Sequence, residues 1–124
     1  MATNQFRTVL LVENEALIAL DLEGMLLSAG AGQVHHAISS SEALDWLERE
    51  KADLAILDLF VSDGSSAPVA ERLRNVGTPF LIYSGHTHDS APGAADFGNA
   101  IWLSKPCTQS ELVLAIERSL GLSL

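Results

Sequence analysis

The sequence predicts an α/β fold in which a parallel sheet lies between helices on both faces. Uninterrupted apolar runs at residues 8–12, 54–57 and 80–83 are typical of strands that are buried on both faces. Segments with apolar residues at helical spacing separate most of these runs, and strand and helix alternate five times along the chain. This alternation calls for parallel strands joined by right-handed crossovers.

Two less regular runs complete the set of five predicted strands. Residues 33–38 have a patchy pattern, which favours an edge strand that is exposed on one side. Residues 100–104 form the fifth strand, which ends before Lys105. Between the fourth and fifth strands, residues 84–99 hold three glycines and Pro92, so that at most a short helix is predicted there.

Common start and stop signals delimit the predicted helices. The first helix runs from Glu15 to about Ala29 and stops at two closely spaced glycines. Pro68 suits the first turn of a helix over residues 67–75. The second and last helices begin with the spacing of a capping box, at the pairs Ser39 with Glu42 and Thr108 with Glu111.

The composition limits the possible functions. A length of 124 residues fits one domain, residues 1–124, and no output domain is expected after Leu124. The 16 acidic and 7 basic side chains give a formal charge of -9, which argues against a nucleic-acid partner. The single cysteine excludes an internal disulfide, and the sequence shows neither a signal peptide nor a membrane span. We therefore expect a cytoplasmic protein without a membrane partner.

Polar side chains stand where four of the predicted strands end. Glu13 and Asn14 follow the first strand, Asp58 the third, Ser84 the fourth and Lys105 the fifth. Because the carboxyl ends of parallel strands meet at one edge of a sheet, these side chains are expected to converge. Carboxylate and carbonyl oxygens suit Mg²⁺, while an ammonium and a hydroxyl suit phosphoryl oxygens. The set indicates phosphoryl transfer onto Asp58.

Four motifs, in this order, resemble the receiver domain of two-component response regulators: VLLVENE, DLAILDLFVSDG, FLIYSG and WLSKP. The resemblance extends from Thr8 to about Leu120. It implies a flavodoxin-like (βα)5 doubly wound sandwich with strand order 2-1-3-4-5. It also implies a sensor histidine kinase or phosphotransfer protein as donor and a downstream protein as target. We expect a stand-alone receiver that is a monomer or a weak homodimer.

The resemblance also implies roles for individual residues. Asp58 corresponds to the phosphoacceptor, and Lys105 to the lysine that contacts the phosphoryl group. The expected Mg²⁺ ligands are Glu13, Asp58 and the backbone carbonyl of Phe60. Ser84 resembles the hydroxyl of the family's conformational switch.

Two residues and one segment depart from the family pattern. Trp102 stands where the family usually has the Tyr or Phe whose rotamer follows the switch hydroxyl. Asn14 replaces the second acid of the family's acidic pair, so that weaker Mg²⁺ binding is predicted, although an amide oxygen is still a usable ligand. Residues 84–99 are too rich in glycine for the usual fourth helix, which questions the signalling surface that this helix helps to form.

Two other functions remain open at this point. The alternative to phosphotransfer is a degenerate receiver that acts as a phosphorylation-independent interaction module. A small hydrolase is the weakest possibility, because no general base other than the loop histidines is expected near the site, and Asp63 with Gly64 is interpreted as a turn. No enzymatic activity beyond Mg²⁺-dependent self-phosphorylation is expected. Packing or surface roles are expected for the remaining reactive side chains, namely His35, His36, His86, His88 and Cys107.

Overall fold

The computed structural model describes residues 6–85 and 93–121. Its central sheet consists of five parallel strands, which are β1 (Thr8–Val12), β2 (Gln33–Ala37), β3 (Leu54–Leu57), β4 (Phe80–Ser84) and β5 (Ile101–Ser104). The strand order is β2-β1-β3-β4-β5, which confirms the predicted order 2-1-3-4-5. The patchy strand β2 is an edge strand, as predicted.

Within the described residues, four helices cover the sheet: α1 (Ala16–Ser28), α2 (Ser40–Arg49), α3 (Ala67–Val76) and α4 (Gln109–Ser119). Between β4 and β5 the described residues contain a single short 3-10 turn, Ala94–Phe97, in agreement with the short helix predicted for this segment. The neighbouring Pro92, His86 and His88 lie outside the described residues. None of the helices in the described ranges has the length and apolar character needed to cross a bilayer.

The core has two layers because side chains alternate across the sheet. Val9 and Leu11 belong to a buried cluster with α1 and α4, whereas Leu10 and Val12 belong to a second cluster with α2 and α3. All four side chains of β3 are buried, as expected for a central strand between two helical layers. This packing confirms the doubly wound architecture and fixes the carboxyl ends of the strands along one edge.

The strand and helix ends follow the predicted signals with small differences. The Ser39 side chain accepts a hydrogen bond from Glu42 N, but the Glu42 carboxylate accepts from Ile38 N instead of completing the capping box. Thr108 and Glu111 form the full capping box. Serine at position 84 was predicted to follow β4 but is its last residue, because it pairs in register with Ser104.

The turn after β3 confirms the interpretation of Asp63 with Gly64 and adds a contact. Phe60–Val61 pairs with Gly64–Ser65 in a small antiparallel hairpin that the sequence analysis did not predict. Asp63 Oδ1 and Oδ2 accept hydrogen bonds from Ser40 N at 2.8 Å and from Ser41 N at 3.0 Å. These bonds lower the pKa of Asp63 and attach the turn to the start of α2.

Candidate functional site

Asp58 follows β3 directly and projects from the carboxyl edge of the sheet. Its backbone N–H donates to Val12 O at 3.0 Å, which continues the pairing of β3 with β1. One carboxylate oxygen, Oδ1, accepts a hydrogen bond from Leu59 N at 2.7 Å. The side chain is 15% exposed, and the second oxygen, Oδ2, faces the Lys105 ammonium at 2.7 Å.

Lys105 joins the two carboxylates that the sequence analysis placed at the strand ends. Its Nζ lies 2.8 Å from Glu13 Oε1 and 2.7 Å from Asp58 Oδ2. The two acidic oxygens are therefore no farther apart than the sum of these two distances. The structure thus brings Glu13, Asp58 and Lys105 into one site, although they are far apart in the sequence.

The ammonium of Lys105 is positively charged at neutral pH. Burial by itself lowers the pKa of Lys105, but the hydrogen bonds and charges of Asp58 and Glu13 outweigh it and raise the pKa above its usual value of 10.5. Two carboxylates and one ammonium leave a formal excess of one negative charge. A bound divalent cation would more than offset this excess.

Glu13 is almost completely buried, with 1% of its surface exposed. Its Oε2 accepts a hydrogen bond from Glu15 N at 3.1 Å, while Oε1 faces Lys105. The next residue, Asn14, is exposed in the turn between β1 and α1, where its amide is accessible from solvent. The part that Asn14 takes in metal binding stays a prediction.

Ser84 and Trp102 occupy neighbouring strands beside Lys105. Ser84 is 1% exposed, and its carbonyl accepts a hydrogen bond from Lys105 N at 2.9 Å. Trp102 lies on β5 and packs against the core layer that contains α2 and α3. Phe60 stands two residues after Asp58 and is 47% exposed. The switch roles of Ser84 and Trp102, and the role of the Phe60 carbonyl, stay predictions.

Ser66 is a residue of this site that the sequence analysis missed. It is fully buried, and its Oγ donates to the backbone carbonyls of Asp58 at 2.5 Å and of Leu59 at 3.3 Å. A serine just before a helix usually caps that helix, but the Ser66 side chain makes no capping bond to α3. Instead it fixes the chain that carries Asp58.

The chemistry of the site fits Mg²⁺. Glu13 and Asp58 provide two hard oxygen donors, and Mg²⁺ is commonly bound by one or two carboxylates together with waters and phosphate oxygens. Residues 6–85 and 93–121 contain no cluster of three His, Cys, Asp or Glu side chains that could hold a metal. The remaining ligands would therefore be backbone carbonyls, water and the phosphoryl group, with the amide oxygen of Asn14 as a further predicted ligand.

Comparisons with known proteins agree with the fold and the motifs. The family model described as "Response regulator receiver domain" matches residues 9–117. The transcriptional regulatory protein PdtaR of Mycobacterium tuberculosis is 34% identical over 113 residues, which are 90% of this chain and 55% of that protein. The chain therefore spans about half the length of this curated relative.

Solved structures show the same architecture. The solution structure of SdrG from Sphingomonas melonis Fr1 has 32% identity and a TM-score of 0.80, covering 95% of this chain and 98% of that one. The receiver domain of sensor histidine kinase PA1611 from Pseudomonas aeruginosa has 22% identity and a TM-score of 0.78, covering 94% and 98% of the two chains. That structure is described with a magnesium ion coordinated in its active-site cleft. Together, the matched family model and the related sequences show that this chain belongs to the response regulator receiver domain family.

Proposed function

We propose that Asp58 accepts a phosphoryl group from a sensor histidine kinase or a phosphotransfer protein, and that the chain then signals by contact with a downstream protein. The observation that carries this proposal is the shared ammonium: Lys105 Nζ contacts Glu13 and Asp58 at 2.8 and 2.7 Å in one partly buried cluster. In this proposal the receiver meets its kinase in the cytoplasm and is a monomer or weak homodimer. It has no separate substrate to turn over.

The hydrogen bonds of Asp58 distinguish its two oxygens. Oδ1 accepts a hydrogen bond from Leu59 N, whereas Oδ2 faces the Lys105 ammonium, the group proposed to hold the incoming phosphoryl oxygens; Oδ2 is therefore the proposed nucleophile. An electron pair of Oδ2 forms the new bond to phosphorus, and the bond to the donor nitrogen breaks with its electron pair returning to nitrogen. Mg²⁺, when bound, supplies positive charge that stabilises the phosphoryl oxygens.

Lys105 changes partner in this mechanism. Before transfer its ammonium pairs with Asp58 Oδ2, the atom that becomes bonded to phosphorus. After transfer the carboxylate charge at this atom is lost, and the phosphoryl oxygens become the strongest acceptors within reach. We expect the ammonium to follow them while keeping its contact with Glu13.

The negative charge that the phosphoryl group adds to the site is the proposed origin of the signal. A phosphoryl group brings about -1.5 to -2 charges, which attract hydroxyl and ammonium donors. Ser84 ends β4 beside the Lys105 backbone, and its hydroxyl is the proposed donor from this strand. On the adjacent strand Ser84 pairs with Ser104, two residues after Trp102, and Trp102 is the proposed reporter of a movement of Ser84.

Mass spectrometry of the intact chain tests the proposal. The chain is incubated with acetyl phosphate and Mg²⁺, and we expect a mass increase of one phosphoryl group. The increase should be absent for Asp58→Asn and without Mg²⁺. An unchanged mass of the wild-type chain, or labelling of Asp58→Asn equal to that of wild type, would contradict the proposal.

A further inference from the structure

His36 contacts the acidic turn of the site from the edge strand β2. Its Nε2 lies 2.5 Å from the backbone carbonyl oxygen of Glu13. A carbonyl oxygen can only accept a hydrogen bond, so that Nε2 carries the hydrogen and donates it. The ring is partly buried, and the contact joins residues that are 23 positions apart in the sequence.

Strand β2 therefore holds both polar backbone groups of Glu13. The N–H of Glu13 donates to Ala37 O at 3.0 Å, and its carbonyl accepts from His36. The two carboxylate oxygens are held separately, by Glu15 N and by Lys105. The peptide between Glu13 and Asn14 is thus fixed by a side chain that is not a metal ligand.

We propose that His36 is a positioning residue for the metal-binding end of the site, acting through the Glu13 carbonyl. This inference rests on the proposed function, in which Glu13 is a ligand of Mg²⁺. The orientation of the first acid matters more here than in a site with two adjacent acids, because Asn14 provides no second carboxylate. Residues that orient metal ligands commonly change metal affinity about tenfold or more when they are removed.

His35 provides a matched control on the same strand. It neighbours His36, is also partly buried, and stacks on Trp46 with ring centroids 4.9 Å apart and an interplanar angle of 11°. This contact belongs to the side of the sheet that α2 covers. Replacement of His35 therefore removes a comparable imidazole but leaves the hydrogen bond to the Glu13 carbonyl unchanged.

Titration calorimetry with Mg²⁺ alone tests the inference on the full chain. We expect His36→Ala to raise the dissociation constant of Mg²⁺ about tenfold. Glutamine carries an N–H donor, so that His36→Gln should recover part of this loss, and His35→Ala should bind like the wild type. Thermal unfolding of every variant shows whether it is folded, and His36→Gln serves as the test variant if His36→Ala is not.

A second readout separates positioning from a general loss of structure. The Mg²⁺ concentration for half-maximal phosphorylation by acetyl phosphate should rise in His36→Ala, while the rate at saturating Mg²⁺ stays close to that of wild type. Equal Mg²⁺ affinity of His36→Ala and wild type, or equal losses in His35→Ala and His36→Ala, would overturn the inference and leave the proposed function intact. If the wild-type chain itself did not bind Mg²⁺, the proposed function would fail, and the inference with it.

Discussion

Replacement of Lys105 by methionine tests the energetics of the site. The variant keeps most of the side-chain volume but removes the charge that separates Glu13 from Asp58. The Glu13 side chain is 1% exposed, so that its carboxylate would be left buried without a cation beside a second carboxylate. Removal of one partner of a buried ion pair typically costs 3–5 kcal/mol, and because Lys105 and Asp58 keep some contact with solvent we expect about 3 kcal/mol.

Urea unfolding at neutral pH without Mg²⁺ measures this cost. Glu13→Gln and the double variant complete a mutant cycle, in which we expect a coupling free energy of about 2 kcal/mol. Lys51→Met is the matched control, because Lys51 is exposed and is the only other lysine of the chain. Its unfolding free energy should stay within about 0.5 kcal/mol of wild type.

The same geometry predicts how Mg²⁺ and pH change the free energy of unfolding. Mg²⁺ should stabilise Lys105→Met more than wild type, since the cation takes the place of the ammonium between the carboxylates. The raised pKa of Lys105 means that its contribution is fully present below 10.5 and is lost as the pH rises through the higher folded-state value. A loss of less than about 0.5 kcal/mol in Lys105→Met, as for an exposed ion pair, would refute this reasoning.

Two other predictions concern residues next to the site. Ser66→Ala should lower the free energy of unfolding by about 1–2 kcal/mol and slow the phosphorylation of Asp58, because the partly buried carbonyl of Asp58 loses its hydroxyl donor, while the Leu59 carbonyl keeps the Ser66 N–H. Urea unfolding and acetyl phosphate kinetics check this, and unchanged values for both would contradict it. Burial, with the contact to Cys107, raises the pKa of Tyr83, the only tyrosine, to about 12. Its phenolate absorbance should therefore appear near that pH in the folded chain and near 10.0 in urea, and equal midpoints in both states would contradict this.

The fold could be predicted because the strongest signals in the sequence are local. The buried run of β3 and the capping box at Thr108 each specify one element without help from the rest of the chain. The strand order and the family motifs then place Glu13, Asp58 and Lys105 at one edge. Their contact is a consequence of parallel topology, which is why it could be predicted from the ends of the strands.

The supporting contacts could not be predicted because they depend on side-chain direction. Ser66 has the sequence signature of a helix cap, yet its hydroxyl turns back toward Asp58. His36 could have faced either side of β2, and only the packed sheet shows that its ring reaches the Glu13 carbonyl. Asp63 was interpreted as a turn residue, which is correct, but its bonds to α2 require the tertiary structure.

A crystal structure of the chain with Mg²⁺ and beryllofluoride, a mimic of the phosphoryl group, tests the central claim most directly. We expect the mimic on Asp58 Oδ2, the Lys105 ammonium on one of its fluorines, and the cation between Asp58 and Glu13. A mimic bound away from Asp58, or a Lys105 ammonium that faces away from the occupied site, would contradict the account.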